Sequence, residues 1–318
     1  MQLTFRSART ADFPACCRML ATFRGRYDSE VLRALPGIWA GLMAGKALSL
    51  TVFEDEDHSS EQRLLGFGTG MFVADACIAE MLAQPKPYLA NRIYQSCLQG
   101  QPPALGYRAL RQANASGGVN LLPLDFALAE RAVFSLKALP LFAIVWEAFQ
   151  FNFYGYRLNR IVQEVFGEDW RDFLLAAGLK VYTEFSSLPE PHPVLMGISR
   201  QDCLAHPGSR YTFFFTAPPP RFYFSCSEQE LLSLALRGSS DQEVAEELGI
   251  STYTVKELWC NIFRRVEDAE PDWFPCKTPV SGHRGPEKRR YLLKYLAHHL
   301  EELRPWRKLG KKFRFQPE

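Results

Sequence analysis

The chain has 318 residues, 47% hydrophobic and 23% charged, with a formal net charge of +2. That length suits two domains with a sizeable core, and the balance excludes a disordered, collagenous or uniformly polybasic protein. Its 8 cysteines are scattered without a C-x-x-C pair, which points to reduced thiols rather than a zinc site or a disulfide frame.

The start, MQLTFRSARTADFP, has no long apolar run and does not read as a signal peptide, so a cytoplasmic protein is expected. Leu3 to Arg6 reads as a strand. A helix from about Asp12 carries Cys16, Met19, Leu20 and Phe23 inward. A second, capped by Ser29, carries Val31, Leu32, Leu35, Trp39 and Leu42 and runs to Gly45, with a bend expected at Pro36-Gly37. Two strands, Ala47 to Phe53 and Leu64 to Val73, flank a polar hairpin loop. From Asp75 to Ala115 the chain is helical between Pro85, Pro87, Pro102 and Pro103.

A strand from Val119 to Ala127 follows Gly117-Gly118. A long helical region is expected from Val133 to Ala177, broken near Pro140, Gly155 and Gly167. Its most apolar part, Ala138 to Phe153, contains Pro140, Glu147 and Gln150 and is too short to span a bilayer, so no membrane partner is expected. Strands at Lys180 to Phe185, Val194 to Ser199 and Tyr211 to Thr216 close the first domain, residues 1–216.

This order of elements, with FRSARTADFPACCRML at the start and RLLGFGTGMFVAD as the central hairpin strand, resembles the acyltransferase fold of the GNAT superfamily over roughly residues 1 to 185. The resemblance implies a mixed sheet flanked by helices. It also implies a loop of the type Gln/Arg-x-x-Gly-x-Gly/Ala at a helix start, whose N–H groups cradle the pyrophosphate of acetyl-CoA. The nearest stretch is Asn152-Phe153-Tyr154-Gly155-Tyr156-Arg157, giving Asn152, Gly155 and Arg157 as cofactor-binding candidates. Arg157 stands where that pattern has a small residue. The same stretch also reads as a kink before an amphipathic helix, Leu158 to Phe166. Acyl transfer needs a base and often a tyrosine as acid. Asp125, Glu147, Glu164 and Tyr182 are present, and no spacing fixes a pair. The aromatic run Trp146, Phe149, Phe151, Phe153, Tyr154 and Tyr156 reads as core, or as the lining of a pocket for a small apolar or acyl ligand.

Pro218-Pro219-Pro220 marks a stiff linker, residues 217–225, before a run of short helices at residues 226–266. Ser227 with Glu230 and Ser240 with Glu243 have capping-box spacing, Gly249 provides a turn, and Ser251 or Thr252 caps a third helix. The inward positions of that helix are Val255, Leu258, Ile262 and Val266. The run EVAEELGIS..TVK....NIFRR resembles the DNA-binding domain of LuxR/GerE-type bacterial transcriptional regulators, departing at Leu258, where a histidine is usual. The resemblance implies double-stranded DNA as partner, a homodimer, and DNA contacts from Thr252, Tyr253, Thr254, Lys256, Glu257, Cys260, Arg264 and Arg265.

Charge divides unevenly around this motif. Residues 226–274 carry four Lys/Arg against eleven Asp/Glu, and residues 284–318 carry eleven against four. Phosphate contacts dominate DNA affinity, so the basic part of residues 267–318, from Lys288 onward with Trp306, Phe313 and Phe315 interleaved, reads either as a solvated tail or as an arm that tracks phosphates or enters a minor groove. The expected fold class is α+β, a GNAT-like mixed sheet followed by an all-α helix-turn-helix domain. The expected function is a DNA-binding transcriptional regulator whose GNAT-like domain senses a ligand or dimerises and has lost catalysis. Two alternatives stand beside it: an active acetyl-CoA-dependent N-acyltransferase with a DNA-targeting domain, and a helix-turn-helix used for protein interaction. No metal site is expected.

Overall fold

A seven-stranded mixed sheet in the order β1-β2-β3-β4-β5-β7-β6 organises the first two-thirds of the chain. The computed structural model describes residues 2–57, 63–129, 139–205, 208–274 and 284–308. The strands are β1 (Leu3–Ser7), β2 (Leu48–Asp55), β3 (Leu64–Val73), β4 (Val119–Leu128), β5 (Leu158–Phe166), β6 (Lys180–Glu184) and β7 (Pro193–Ser199). All neighbours run antiparallel except β4 and β5, which are parallel. This is a mixed sheet flanked by helices, as the sequence led us to expect.

One face of the sheet is covered by α1 (Phe13–Ala21), α2 (Ser29–Ala44) and α4 (Leu89–Leu98). Trp39 is fully buried at the centre of that layer, edge-on to Phe13, Phe67 and Tyr94. The helix around it passes Pro36 without a break. The other face packs against α6 (Leu139–Phe153), α7 (Glu168–Ala176), α8 (Arg200–Ala205) and α9 (Thr212–Phe215). On this side Gly70 lets the Phe153 ring lie against the sheet, where a Cβ would meet it at 2.7 Å. Between β3 and β4 the chain forms α3 (Asp75–Ala83), α4 and α5 (Tyr107–Ala115), with the proline-marked breaks where the sequence placed them.

Two element assignments in the sheet unit fail. Leu158 to Phe166 is the central strand β5, not a helix. Leu158, Ile161, Val162 and Val165 satisfy a helical stripe, but the same apolar residues fill both faces of a strand buried between α-layers. Tyr211 to Thr216, read as a strand, is the short helix α9, whose Phe214 and Phe215 enter the second core.

The C-terminal unit is all helical: α10 (Cys226–Leu236), α11 (Asp241–Leu248), α12 (Thr252–Ala269) and α13 (Arg284–Leu296). Ser240 and Glu243 form the capping box expected of them, Gly249 adopts φ 64, and Ser251 Oγ accepts from Thr254 N–H. The first capping box is Ser225 with Glu228, two residues before the expected one. That earlier start lets Phe222 and Phe224 bury under the bundle and leaves Glu230 free to reach Lys46. On α12 the buried residues are Val255, Trp259, Ile262 and Val266, so Trp259 takes the inward place expected of Leu258, which is half-buried.

The segment read as a stiff linker is also tied down. Arg221 N–H and Phe222 N–H donate to Glu302, which also accepts from Tyr295 OH. The chain after α13 then crosses onto the sheet unit. Arg304 donates to the carbonyls of Phe151 and Tyr154, Asn114 donates to Pro305 O at 3.0 Å, and Arg111 to Trp306 O at 3.0 Å. No helix among the described residues is long and apolar enough to cross a membrane.

Candidate active site

β4 and β5 pair only at Val119 with Leu158, Asn120 with Arg160 and Leu121 with Ile161. Beyond these residues β4 continues with β3 to Leu128, and β5 continues with β7 to Phe166. The two parallel strands therefore part toward their carboxyl ends. Such partings in open α/β sheets are where ligands enter.

Strand alternation sends Val162, Glu164 and Phe166 to the face covered by α1, α2 and α4. Glu164 Oε2 accepts from Leu89 N–H at 2.9 Å, at the start of α4, and Glu164 Oε1 is buried without a hydrogen-bond partner. Burial pushes this carboxyl up to about 7, against the opposing pull of the Leu89 and Tyr88 N–H groups, Arg26 and Arg92. Around it, the Arg26 guanidinium lies 3.6 Å from the centre of the Phe166 ring, and the Tyr88 ring stacks with the same ring at 6.5 Å. Tyr88 holds φ 59, a left-handed conformation costly for a bulky residue.

On β4, Asp125 is 4% exposed. Its carboxyl accepts from Thr69 Oγ1 at 2.8 Å and from the hydroxyls of Tyr27 and Tyr94. Burial raises it, and the three hydroxyls only partly offset that. The phenols of Tyr27 and Tyr94 are pushed well above their ordinary range, first by burial and then by this carboxyl. The geometry depends on the irregularity between β3 and β4 at Gly68 and Gly70, where Pro123 is accommodated. Tyr182, on β6, packs toward the same core, its ring lying over Gly197, where a Cβ would meet it at 2.5 Å. Burial raises its phenol, with Arg160 opposing.

The sheet thus brings Asp125, Glu164 and Tyr182 to one face. Glu147 is exposed on α6, across the sheet from them. Sequence reasoning did not single out Arg26, Tyr27, Tyr88 or Tyr94. The Arg26-Tyr27 pair ending the link between two amphipathic helices was the one available signal.

The stretch Asn152 to Arg157 is not a phosphate cradle. It lies at the carbonyl end of α6, where the helix dipole is negative and disfavours an anion. Asn152 Nδ2 donates to Thr51 Oγ1 at 3.0 Å and to Ala148 O at 2.7 Å. Arg157 Nη1 donates to Ser116 O at 2.8 Å. Gly155, at φ +94, lies under the backbone of Glu301, which a Cβ would meet at 2.6 Å. The aromatic run beside it is packed core: Phe149 contacts Phe214 at 5.2 Å, and Trp146 contacts Tyr211 at 5.5 Å. The residues between β4 and α6, 130–138, lie outside the described residues.

In the helical unit, Thr252, Tyr253, Lys256, Glu257, Cys260 and Arg264 are exposed, and Thr254 is half-buried. Arg265 is committed to Glu228, at 3.0 and 3.3 Å. A groove of about 470 Å³ is lined by Gln242, Ala245, Glu246, Gly249, Ile250 and Thr252. The basic segment from Lys288 is not a free arm where it is described. Lys288 pairs with Glu267, Arg289 with Asp241, Arg304 caps α6, and Trp306 is buried. The expected arm residues Phe313 and Phe315 lie outside the described residues.

No family model and no curated protein matches the sequence, so the LuxR/GerE resemblance rests on its own residues. Among solved structures, the chain is similar to a spermidine N-acetyltransferase SpeG chimera from Vibrio cholerae and hSSAT, at 14% identity over 64% of this chain and 99% of that one, TM-score 0.36. It is similar to a putative acetyltransferase of the GNAT family from Desulfovibrio desulfuricans, at 10% identity over 62% and 99%, TM-score 0.35. It is also similar to apo FdhC, a nucleotide-linked sugar GNAT, at 10% identity over 67% and 94%, TM-score 0.35. Likeness at these scores carries no argument about activity. The fold class stands on strand order and direction.

Proposed function

We propose that the sheet unit is an N-acyltransferase working where β4 and β5 part, with Glu164 as its general base. One observation carries this reading: a buried carboxyl oxygen without a partner, on a group poised at about 7, beside the parting of two parallel strands. A base is most useful when its pKa lies near the working pH. Glu164 can accept the proton that an amine acceptor gives up, and Arg26, Tyr88 and Phe166 form the walls beside it. The acyl donor suggested by the fold is acetyl-CoA. Asn152, Gly155 and Arg157 do not fit its pyrophosphate, so no step is assigned to them.

The test is calorimetry with acetyl-CoA, followed by initial rates against a panel of primary amines. Saturable binding is expected, with kcat/KM rising as pH passes through about 7, because the carboxylate is the active form of Glu164. Glu164→Gln keeps acetyl-CoA binding, loses roughly 10²–10⁴-fold in rate and loses that rising limb. Absence of acetyl-CoA binding to the wild-type chain overturns the reading.

A second reading is favoured by the Ser251-capped helix α12 and its exposed outer face: a DNA-binding transcriptional regulator of LuxR type, acting as a homodimer on double-stranded DNA. Its contacts are Thr252, Tyr253, Thr254, Lys256, Glu257, Cys260 and Arg264, with Arg265 needing to leave Glu228. The acidic α11 and the committed basic segment weigh against tight binding. Lys256→Ala is expected to weaken binding in gel shifts and to reduce the salt slope by about one. Identical shifts for both chains at every salt concentration exclude this helix as the reader.

A further inference from the structure

Where the sheet unit meets the helical unit, a lysine and a cysteine from opposite sides come together. α2 ends at Ala44, and Lys46 follows at φ 54. Ala47 N–H donates to Leu42 O, closing the helix end. Glycine is the usual residue in this left-handed terminal position, because a Cβ there is strained. Strained backbone retained by a side-chain-bearing residue points to a use for the side chain.

That side chain crosses to α10. Lys46 Nζ lies 2.6 Å from Cys226 Sγ and 2.6 Å from Glu230 Oε1. The Tyr107 ring flanks it, 5.4 Å from Nζ. Cys226 is the first residue of α10 and is half-buried, so a small oxidant in water can reach the sulfur. Thiols at helix starts beside a cation are those that peroxide oxidises most readily. Burial pulls the Lys46 ammonium down, but Cys226 and Glu230 more than offset it, so it stands above the ordinary lysine range. Oxidation of the sulfur removes one of those two partners.

We propose that hydrogen peroxide converts this contact into a reversible covalent crosslink, a sulfenamide between Cys226 Sγ and Lys46 Nζ. The Cys226 sulfur attacks one peroxide oxygen, and its thiol proton goes to the departing oxygen. The O–O bond breaks, the first water leaves, and Cys226 becomes a sulfenic acid. Nζ passes a proton to Glu230 and attacks the sulfur. The S–N bond forms as the S–O bond breaks, and the second water leaves. One peroxide is reduced to two waters while the chain loses two hydrogen atoms. An added thiol attacks the sulfur, frees the amine and leaves a mixed disulfide, which a second thiol reduces to restore Cys226. Sulfenic acids are known to condense with nitrogen in this way. The crosslink would lock α10 to the end of α2.

The test is to treat the full chain with equimolar hydrogen peroxide, block remaining thiols, digest and weigh the peptides. The expected product joins the peptides containing Lys46 and Cys226, two hydrogens lighter than their sum, and disappears after dithiothreitol. Cys260, exposed on α12, is the internal control that the oxidant reached the protein. Lys46→Arg keeps a cation beside Glu230 and should give an oxygenated Cys226 with no crosslink. Its circular dichroism reports whether it still folds. Recovery of wild-type Cys226 as a free thiol, or oxygenated with Lys46 unmodified, while Cys260 is oxidised, overturns the proposal.

Discussion

Asp125→Ala is expected to lower the unfolding free energy by about 3–5 kcal/mol in urea titration. The carboxyl is the common acceptor for Thr69, Tyr27 and Tyr94, which come from β3, the link before α2, and α4. Each buried hydroxyl left without a partner costs about 1–3 kcal/mol, and the fully buried Tyr94 has no route to water. Asp125→Asn retains one acceptor oxygen and should lose less. A loss below about 1 kcal/mol in Asp125→Ala would mean that the three hydroxyls find other partners, and the network would not be what holds the α1–α2–α4 layer to the sheet.

Gly155→Ala is expected to lose about 2–4 kcal/mol, from left-handed strain and from overpacking against backbone that cannot rotate away. The listening partner is the C-terminal segment, since the new Cβ would meet Glu301 Cα at 2.6 Å and Glu301 N at 2.7 Å. Arg304→Ala attacks the same junction from the other side by uncovering the carbonyls of Phe151 and Tyr154. Both should raise proteolysis of the C-terminal unit. A pyrophosphate cradle at this position predicts the opposite pattern: weaker acetyl-CoA binding at unchanged stability. Calorimetry and a urea titration on the same two variants separate these outcomes.

Much of the fold could be read from local pattern. The β2–β3 hairpin, the helices between prolines and the capped α11–α12 turn are all set by residues close in sequence. β5 could not be read this way, because its apolar spacing fits two periods and only its pairing with the distant strands β4 and β7 decides between them. The site was legible as residue types and not as a constellation. Asp125 meets Thr69, Tyr94 and Tyr27 across 56, 31 and 98 positions, and sheet register and helix packing bring them together. The basic segment after α13 misled for a related reason. Its arginines and Trp306 look like an arm when counted as charge, yet Arg304 and Trp306 are buried against partners far upstream.

The return of residues 304–307 to the sheet unit bears on how the protein is made. The bonds from Arg304 to Tyr154 and from Asn114 to Pro305 span 150 and 191 positions. During synthesis the carbonyl end of α6 and the α5 surface stay uncovered until that segment has left the ribosome. Contacts of such separation slow folding and prolong exposure of unfinished surface. The two units therefore do not mature one after the other in the order they are translated. The last described stretch of chain completes the sheet unit, and a nascent chain stalled before it would present that open junction to chaperones and proteases.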